Sequence, residues 1–265
     1  MSTLIIVYIL TGLVGLCVGS FLNVVIYRLP NNMSLAFPPS HCTECDYKLK
    51  WYDSIPVISY ILLKGKCRNC KTHISLRYTL VEILNMLLWL LCVMQFGFYD
   101  FKGIVCSATS AIACSICICV AFIDLENKII FDRFHIMLAV LGIAFIFGDK
   151  DTSIWSHLIG AVAGGVIFFA IGFFVSRKVG KEALGGGDIK FAVVSGLFLG
   201  WGKLILMMLF SSISACIVLI SLQKKSNDDK NTEYPFGPFL SAGFIIALIF
   251  GSLIINTYFH ILGLE

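Results

Sequence analysis

The chain has 265 residues, 58% of them hydrophobic and 14% charged, and its mean hydropathy is +0.90. Soluble domains carry roughly 25% charged residues, so this composition excludes a soluble globular protein and indicates an integral membrane protein. The formal net charge of +4 is too small to suggest a nucleic-acid partner.

Runs long enough to span a bilayer, about 20 apolar residues each, lie near 4–27, 79–98, 103–124, 134–148, 157–176, 203–222 and 238–260, with a shorter run at 189–201. The first run has no basic residue ahead of it and is longer than a signal-peptide core, so it reads as a retained membrane helix. The expected fold class is an all-α polytopic membrane protein of about eight transmembrane helices with a small cytosolic zinc-binding loop domain. Its expected divisions are a first transmembrane helix at 1–27, a cytosolic tetracysteine domain at 28–78, and a membrane-embedded core of about seven helices at 79–265. With eight spans and an extracytoplasmic N-terminus, all but Lys102, Lys150 and Lys203 of the 20 Lys and Arg residues face the cytosol, as the positive-inside rule requires. Both termini are then extracytoplasmic. The polar "KKSNDDKNTE" at 224–233 reads as a solvated connector.

Of the 11 cysteines, Cys17, Cys92, Cys106, Cys114, Cys117, Cys119 and Cys216 lie in apolar runs, where Cys behaves as a small hydrophobe. Cys42, Cys45, Cys67 and Cys70 lie in the first polar loop as two Cys-x-x-Cys pairs. Each pair can offer two thiolates from one tight turn, and two such turns make a closed tetrahedral zinc site. A closed site leaves no open coordination position, so this zinc would be structural. The competing reading is a pair of redox-active or free thiols.

Asp124 ends the third run and Asp188 opens the sixth segment, both at the cytosolic boundary. Two carboxylates that meet do not both ionise easily. The ionised one can act as base on water while the protonated one hydrogen-bonds a scissile carbonyl, which is aspartic protease chemistry. The bland alternative, in which each Asp caps a helix or faces water, stays open on the residues alone. Asp188 follows Gly185, Gly186 and Gly187. That glycine run lacks the Lys-Ser/Thr of a phosphate loop and the strand-helix context of a dinucleotide site. Its remaining use is backbone freedom and close approach beside the acid.

Other polar residues in the spans are weaker candidates. Asn23, Glu82 and Asn85 are expected to satisfy other polar groups inside a bundle. His157 and His260 are expected at the interface rather than as ligands, and "YPFGPFL" at 234–240 reads as a helix-start turn.

Taken in order, "GSFLNVVIYRLP" at 19–30, the paired Cys-x-x-Cys loop, "ISLRYTLVE" at 74–82, "FIDLENKII" at 122–130, "GGGDIKFAVVSGLFLG" at 185–200 and "PFGPF" at 235–239 resemble the type IV prepilin peptidase family. The resemblance covers nearly the whole chain. It implies a GxGD-type membrane aspartyl protease of the bacterial inner membrane that cuts the basic leader from prepilins or pseudopilins on the cytosolic side. It further implies N-methylation of the new terminus from S-adenosyl-L-methionine. By motif match, Asp124 and Asp188 would be the catalytic pair and Cys42, Cys45, Cys67 and Cys70 the zinc ligands, with Gly185, Gly186 and Gly187 as supporting backbone. One departure is Phe131-Asp132, where many relatives place a proline before the aspartate. No motif assigns the methyl-transfer site. "GSFLNVVIYR", Glu82 and the Cys loop are its candidate neighbours.

Two other classes compete. An ion-coupled membrane transporter would place its acids at mid-span rather than at the boundary. A membrane thiol-disulfide oxidoreductase would use the Cys-x-x-Cys pairs.

Overall fold

The structure is a computed structural model describing residues 2–150, 152–179, 184–225 and 234–263. Lys181, Lys230 and most of the connector at 224–233 lie outside the described residues. Among the described residues every regular element is helical, and six helices are long and apolar enough to cross a membrane. Two compact units emerge, Met1–Met94 and Gln95–Glu265.

The first unit holds α1 (Ser2–Arg28), a 3-10 turn at Trp51–Asp53, α2 (Ile58–Leu62) and most of α3 (Leu76–Phe96). Gly12, Gly15 and Gly19 recur every three or four residues, which sets them on one face of α1. A Cβ at Gly15 would stand 3.0 Å from Met86 Cα, and one at Gly19 2.7 Å from Glu82 Cα, both on α3. Small residues are what let membrane helices approach this closely. Asn85 Nδ2 donates to the Gly15 carbonyl at 2.7 Å across the same seam, and Asn23 Nδ2 donates to the Tyr78 carbonyl at 3.0 Å. The two amide nitrogens are therefore satisfied by backbone rather than by other polar side chains, while Asn23 Oδ1 is buried without a hydrogen-bond partner among the described residues. α1 ends on Arg28, a cation at a helix C-terminus. Its guanidinium is buried, donating to the carbonyls of Ser34 at 2.9 Å and Pro38 at 2.7 Å, and so ties down the chain leaving the helix.

The second unit contains α4 (Phe101–Asn127), α5 (Asp132–Gly148), α6 (Ile154–Val179), α7 (Gly186–Lys225) and α8 (Gly237–Ile261). α4 is enclosed along most of its length. Its start is capped by the Asp100 carboxylate accepting from the Gly103 N–H at 3.3 Å. α7 runs 40 residues, about 60 Å if straight, but it is not straight. Gly200 has φ 75 and ψ 168, a conformation open to glycine alone. Ala192 and Leu204, on either side of that break, both pack on Gly164 of α6: a Cβ there would stand 2.5 Å from the Ala192 carbonyl oxygen and 3.5 Å from a Leu204 methyl. Twelve residues of straight helix would hold them about 18 Å apart. The chain therefore folds back at Gly200, and α7 is a helical hairpin with arms 186–199 and 201–225. The predicted runs at 189–201 and 203–222 are these two arms, so the expected eight apolar segments all appear as helix.

The hairpin is locked by backbone contact. Gly160 and Gly196 touch so closely that neither could carry a Cβ without displacing the other's backbone. His157, expected at an interface, is instead fully buried beside them, with Nδ1 3.0 Å from the Leu197 carbonyl and Nε2 3.5 Å from the Asp149 carboxylate. Its Nδ1 ties α6 to the α7 backbone, so the ring lies inside the bundle rather than at the boundary.

Candidate functional site

α4 ends at Asn127 because Lys128 takes the left-handed conformation (φ 55) and returns its N–H to the Asp124 carbonyl at 2.9 Å. This puts the Asp124 side chain in the last turn of α4, 6% exposed. Its Oδ2 accepts from the Gly237 N–H at 2.8 Å. Gly237 opens α8 after Phe236, an N-cap with no side-chain acceptor, and a proline follows in the first turn. A Cβ at Gly237 would lie 2.7 Å from Asp124 Oδ2 and 2.9 Å from its Cγ. "PFGPF" is thus more than a helix-start turn: its glycine lets a backbone N–H approach the carboxylate. The available signal was a phenylalanine, with no acceptor to offer, where Ser, Thr, Asp or Asn usually caps, and a glycine directly after it.

Asp188 lies in the first turn of α7, half-buried and within electrostatic reach of Asp124. Its carboxylate bears on the Gly185 N–H, as the acid of a capping box does. The capping reading and the paired-acid reading are therefore compatible, because an acid that caps α7 stands in the first turn of that helix, within electrostatic reach of Asp124. None of Gly185, Gly186 and Gly187 has a positive φ, so the expected unusual dihedrals are not what these glycines supply. They supply space. A Cβ on Gly186 would meet nothing within 4 Å, and one on Gly187 would press on Ile130 Cβ at 3.2 Å.

The segment after α4 packs under the same turn. Phe131 caps α5 with φ −73 and ψ 135, the φ that a proline ring imposes. The backbone is thus the one a proline would set, although phenylalanine stands there. Asp132 follows and accepts from Lys190 Nζ at 2.7 Å, joining the start of α5 to the residue two beyond Asp188.

In the first unit the two Cys-x-x-Cys turns are local copies of each other. The Cys42 N–H donates to the Tyr47 carbonyl and the Cys67 N–H to the Thr72 carbonyl, while Asp46 and Lys71 each take positive φ just after the second cysteine. The four Sγ atoms lie within 4.8 Å of one another, with Cys42–Cys70 at 3.8 Å and Cys45–Cys67 at 4.0 Å. A tetrahedral ion with bonds near 2.3 Å spaces its sulfurs about 3.8 Å apart, so the donor set fits zinc. Electrostatics agree. The Thr72 hydroxyl and N–H draw the Cys70 thiol down to about 6. Cys42, although the Glu44 N–H favours its thiolate, is pushed up to about 11 by burial and by the Cys67 and Cys45 sulfurs. Four crowded sulfurs cannot all ionise without a cation among them. The loop is braced by the Arg68–Asp53 ion pair at 2.7 Å.

Beside this loop is a cavity of about 690 Å³ bounded by the inner face of α1, the residues before α2 and the first turns of α3. Glu82 lines it, 8% exposed, accepting from the Val57 N–H at 2.8 Å and from the Ser20 hydroxyl. All its walls come from residues 17–82, so neither Asp124 nor Asp188 belongs to it.

Comparison with known proteins bears on both units. The bacterial peptidase A24 N-terminal domain family matches residues 13–96, and the type IV leader peptidase family matches residues 111–220. A prepilin leader peptidase/N-methyltransferase of Pseudomonas aeruginosa is 31% identical over 278 residues, covering 96% of this chain and 94% of that protein. Its counterpart in Legionella pneumophila is 31% identical, covering 95% and 94%. The Myxococcus xanthus protein of the same description is 36% identical over 205 residues, 77% of this chain and 59% of that protein. No solved structure matches the chain. Alignment along almost the full length of such relatives, spanning the tetracysteine loop and both aspartates, establishes that the chain belongs to the type IV leader peptidase family.

Proposed function

We propose that this protein is a membrane aspartyl endopeptidase that removes the leader of type IV prepilins or pseudopilins at the cytosolic face of the bacterial inner membrane, and then N-methylates the new terminus from S-adenosyl-L-methionine. The observation that carries the peptidase reading is that Asp188, in the first turn of α7, lies within electrostatic reach of Asp124, in the last turn of α4, whose carboxylate accepts from the Gly237 N–H. One carboxylate takes a proton from water as its oxygen attacks the scissile carbonyl. The other, protonated, hydrogen-bonds the oxygen on which negative charge develops, and the leaving amine takes up a proton as the C–N bond breaks. The open space over Gly186 leaves room for an extended backbone beside Asp188.

Methyl transfer moves CH3 from a sulfonium sulfur to the freed amine: the S–C electron pair returns to sulfur, giving a neutral thioether, and the amine loses a proton. Zinc held by Cys42, Cys45, Cys67 and Cys70 would fix the loop without entering either reaction, since four thiolates leave no open position. The substrate would present a basic leader to the cytosol and an apolar stem to the bilayer, with both termini of the enzyme on the opposite side. The transporter reading loses ground because the acids lie at helix ends, and the oxidoreductase reading because all four sulfurs sit in one metal-sized cluster.

Incubation of the purified protein in nanodiscs with a prepilin tests the paired-acid assignment. Asp124→Asn and Asp188→Asn should each lower leader cleavage by about 10²-fold or more with bound zinc unchanged. Substantial cleavage by either variant would sink the assignment.

A further inference from the structure

A buried carboxylate is costly unless a positive group compensates it. Glu82 has no such partner: its contacts are the neutral Val57 N–H and Ser20 hydroxyl, and among the described residues no Lys or Arg stands at ion-pair distance. Arg28, which lines the same cavity, spends its guanidinium on the carbonyls of Ser34 and Pro38.

A second observation concerns the backbone that holds it. Val57 has φ 61 and ψ −50, and the Ile58 N–H bonds back to the Pro56 carbonyl at 2.6 Å. This is a γ-turn of the rare, strained hand, on a β-branched residue for which positive φ is an outlier. Such strain persists where the surroundings enforce it and gathers at ligand sites. Its product here is an N–H aimed at Glu82.

We propose that the cavity is the methyl-donor site and that Glu82 faces the donor's positive centre. This rests on the methyltransferase reading above. The cavity's 690 Å³ falls in the range of small-molecule sites. Phe21, Tyr27, Tyr60 and Tyr78 are among its lining residues, and aromatic rings are suitable partners for an adenine base and for a sulfonium. A sulfonium nucleoside supplies the charge that Glu82 lacks. Transfer of the methyl group abolishes that charge, so the same carboxylate that holds the donor ceases to hold the thioether product.

Equilibrium binding by the full-length protein in nanodiscs tests this, using S-adenosylmethionine and S-adenosylhomocysteine as probes. Glu82→Gln keeps an acceptor for Val57 but removes the charge. It should weaken S-adenosylmethionine binding about ten-fold and S-adenosylhomocysteine binding by less than about three-fold, with Glu82→Asp restoring part of the difference. Unchanged binding of S-adenosylmethionine, or equal weakening of both ligands, overturns the proposal. Should the variants fail to fold, a photoreactive adenosyl analogue on the unaltered protein decides: label within 17–82 supports the site, and label confined beyond residue 82 overturns it. A protein that methylates yet fails these criteria refutes the cavity alone. One that neither binds S-adenosylmethionine nor methylates refutes the methyltransferase reading as well.

Discussion

Gly237 shows how one missing side chain can set the geometry of a candidate catalytic acid. The Asp124 carboxylate is buried, and its hydrogen bond to the Gly237 N–H is possible because nothing projects from the α-carbon. In Gly237→Ala the new methyl would fall within 3.0 Å of Asp124 Oδ2, Cγ and Cβ, inside the distance real Cβ atoms keep. Either the carboxylate rotates away or the start of α8 retreats, and in both cases a hydrogen bond to a charged group is lost, about 1.5–3 kcal/mol. Leader cleavage should fall roughly ten- to hundred-fold, while the zinc content stays at the level of the unaltered protein. Wild-type cleavage by Gly237→Ala would mean that Asp124 does not need this N–H. The sequence quoted the glycine but could not reveal its partner, because the two residues lie 113 positions apart and meet through the packing of α8 on α4. The aspartates were legible, since an acid beside an apolar run is expensive enough to need a reason. Glu82 was visible as a polar residue, but the strained Val57 that bonds it left no trace in "SIPVISY".

At the scale of elements, the tetracysteine loop was readable from spacing because Cys-x-x-Cys turns are local, and each turn forms from hydrogen bonds within six residues. Its brace was not, since Asp53 and Arg68 come from either side of α2. Burial pushes the Asp53 carboxyl up, but the Arg68 guanidinium and the Lys50 N–H outweigh it, leaving the group below the usual carboxylate range. A carboxylate whose folded value is depressed adds stability that is fully present above the unfolded value near 3.8 and disappears as pH falls through the folded one. Asp53→Asn should therefore lower the hydrogen-exchange protection of loop amides such as Lys50 at pH 7. The gap between variant and parent should close as the pH drops below about 4. A gap that persists in acid would assign the effect to packing rather than charge. Helix breaks were legible in the same uneven way. The α7 hairpin could be inferred from two adjacent apolar runs, yet its turning residue was not singled out, because the positive φ that sets Gly200 apart from the other glycines of the segment leaves no mark in the sequence.

For the whole molecule, the hairpin decides how the charges fall. If α7 crossed once, the chain after it would emerge on the far side and Lys224 and Lys225 would lie outside, against the positive-inside rule. Because Ala192 and Leu204 return to the same glycine of α6, the two arms begin and end on one side, and Lys203 falls at the opposite turn with Gly200. The first arm, 186–199, rises about 21 Å, less than the roughly 30 Å hydrocarbon core. With Gly200 near the outer face, Asp188 would stop short of the inner face of a core of that thickness. Alkaline phosphatase, active only outside the cytosol, should be active when fused after Lys150 or Gly200 and inactive when fused after Lys71 or Lys128. An inactive fusion after Gly200 alongside an active one after Lys150 would mean that the first arm does not cross. The depth argued for Asp188 would fall with it, and so would the cytosolic placement of every basic residue that follows.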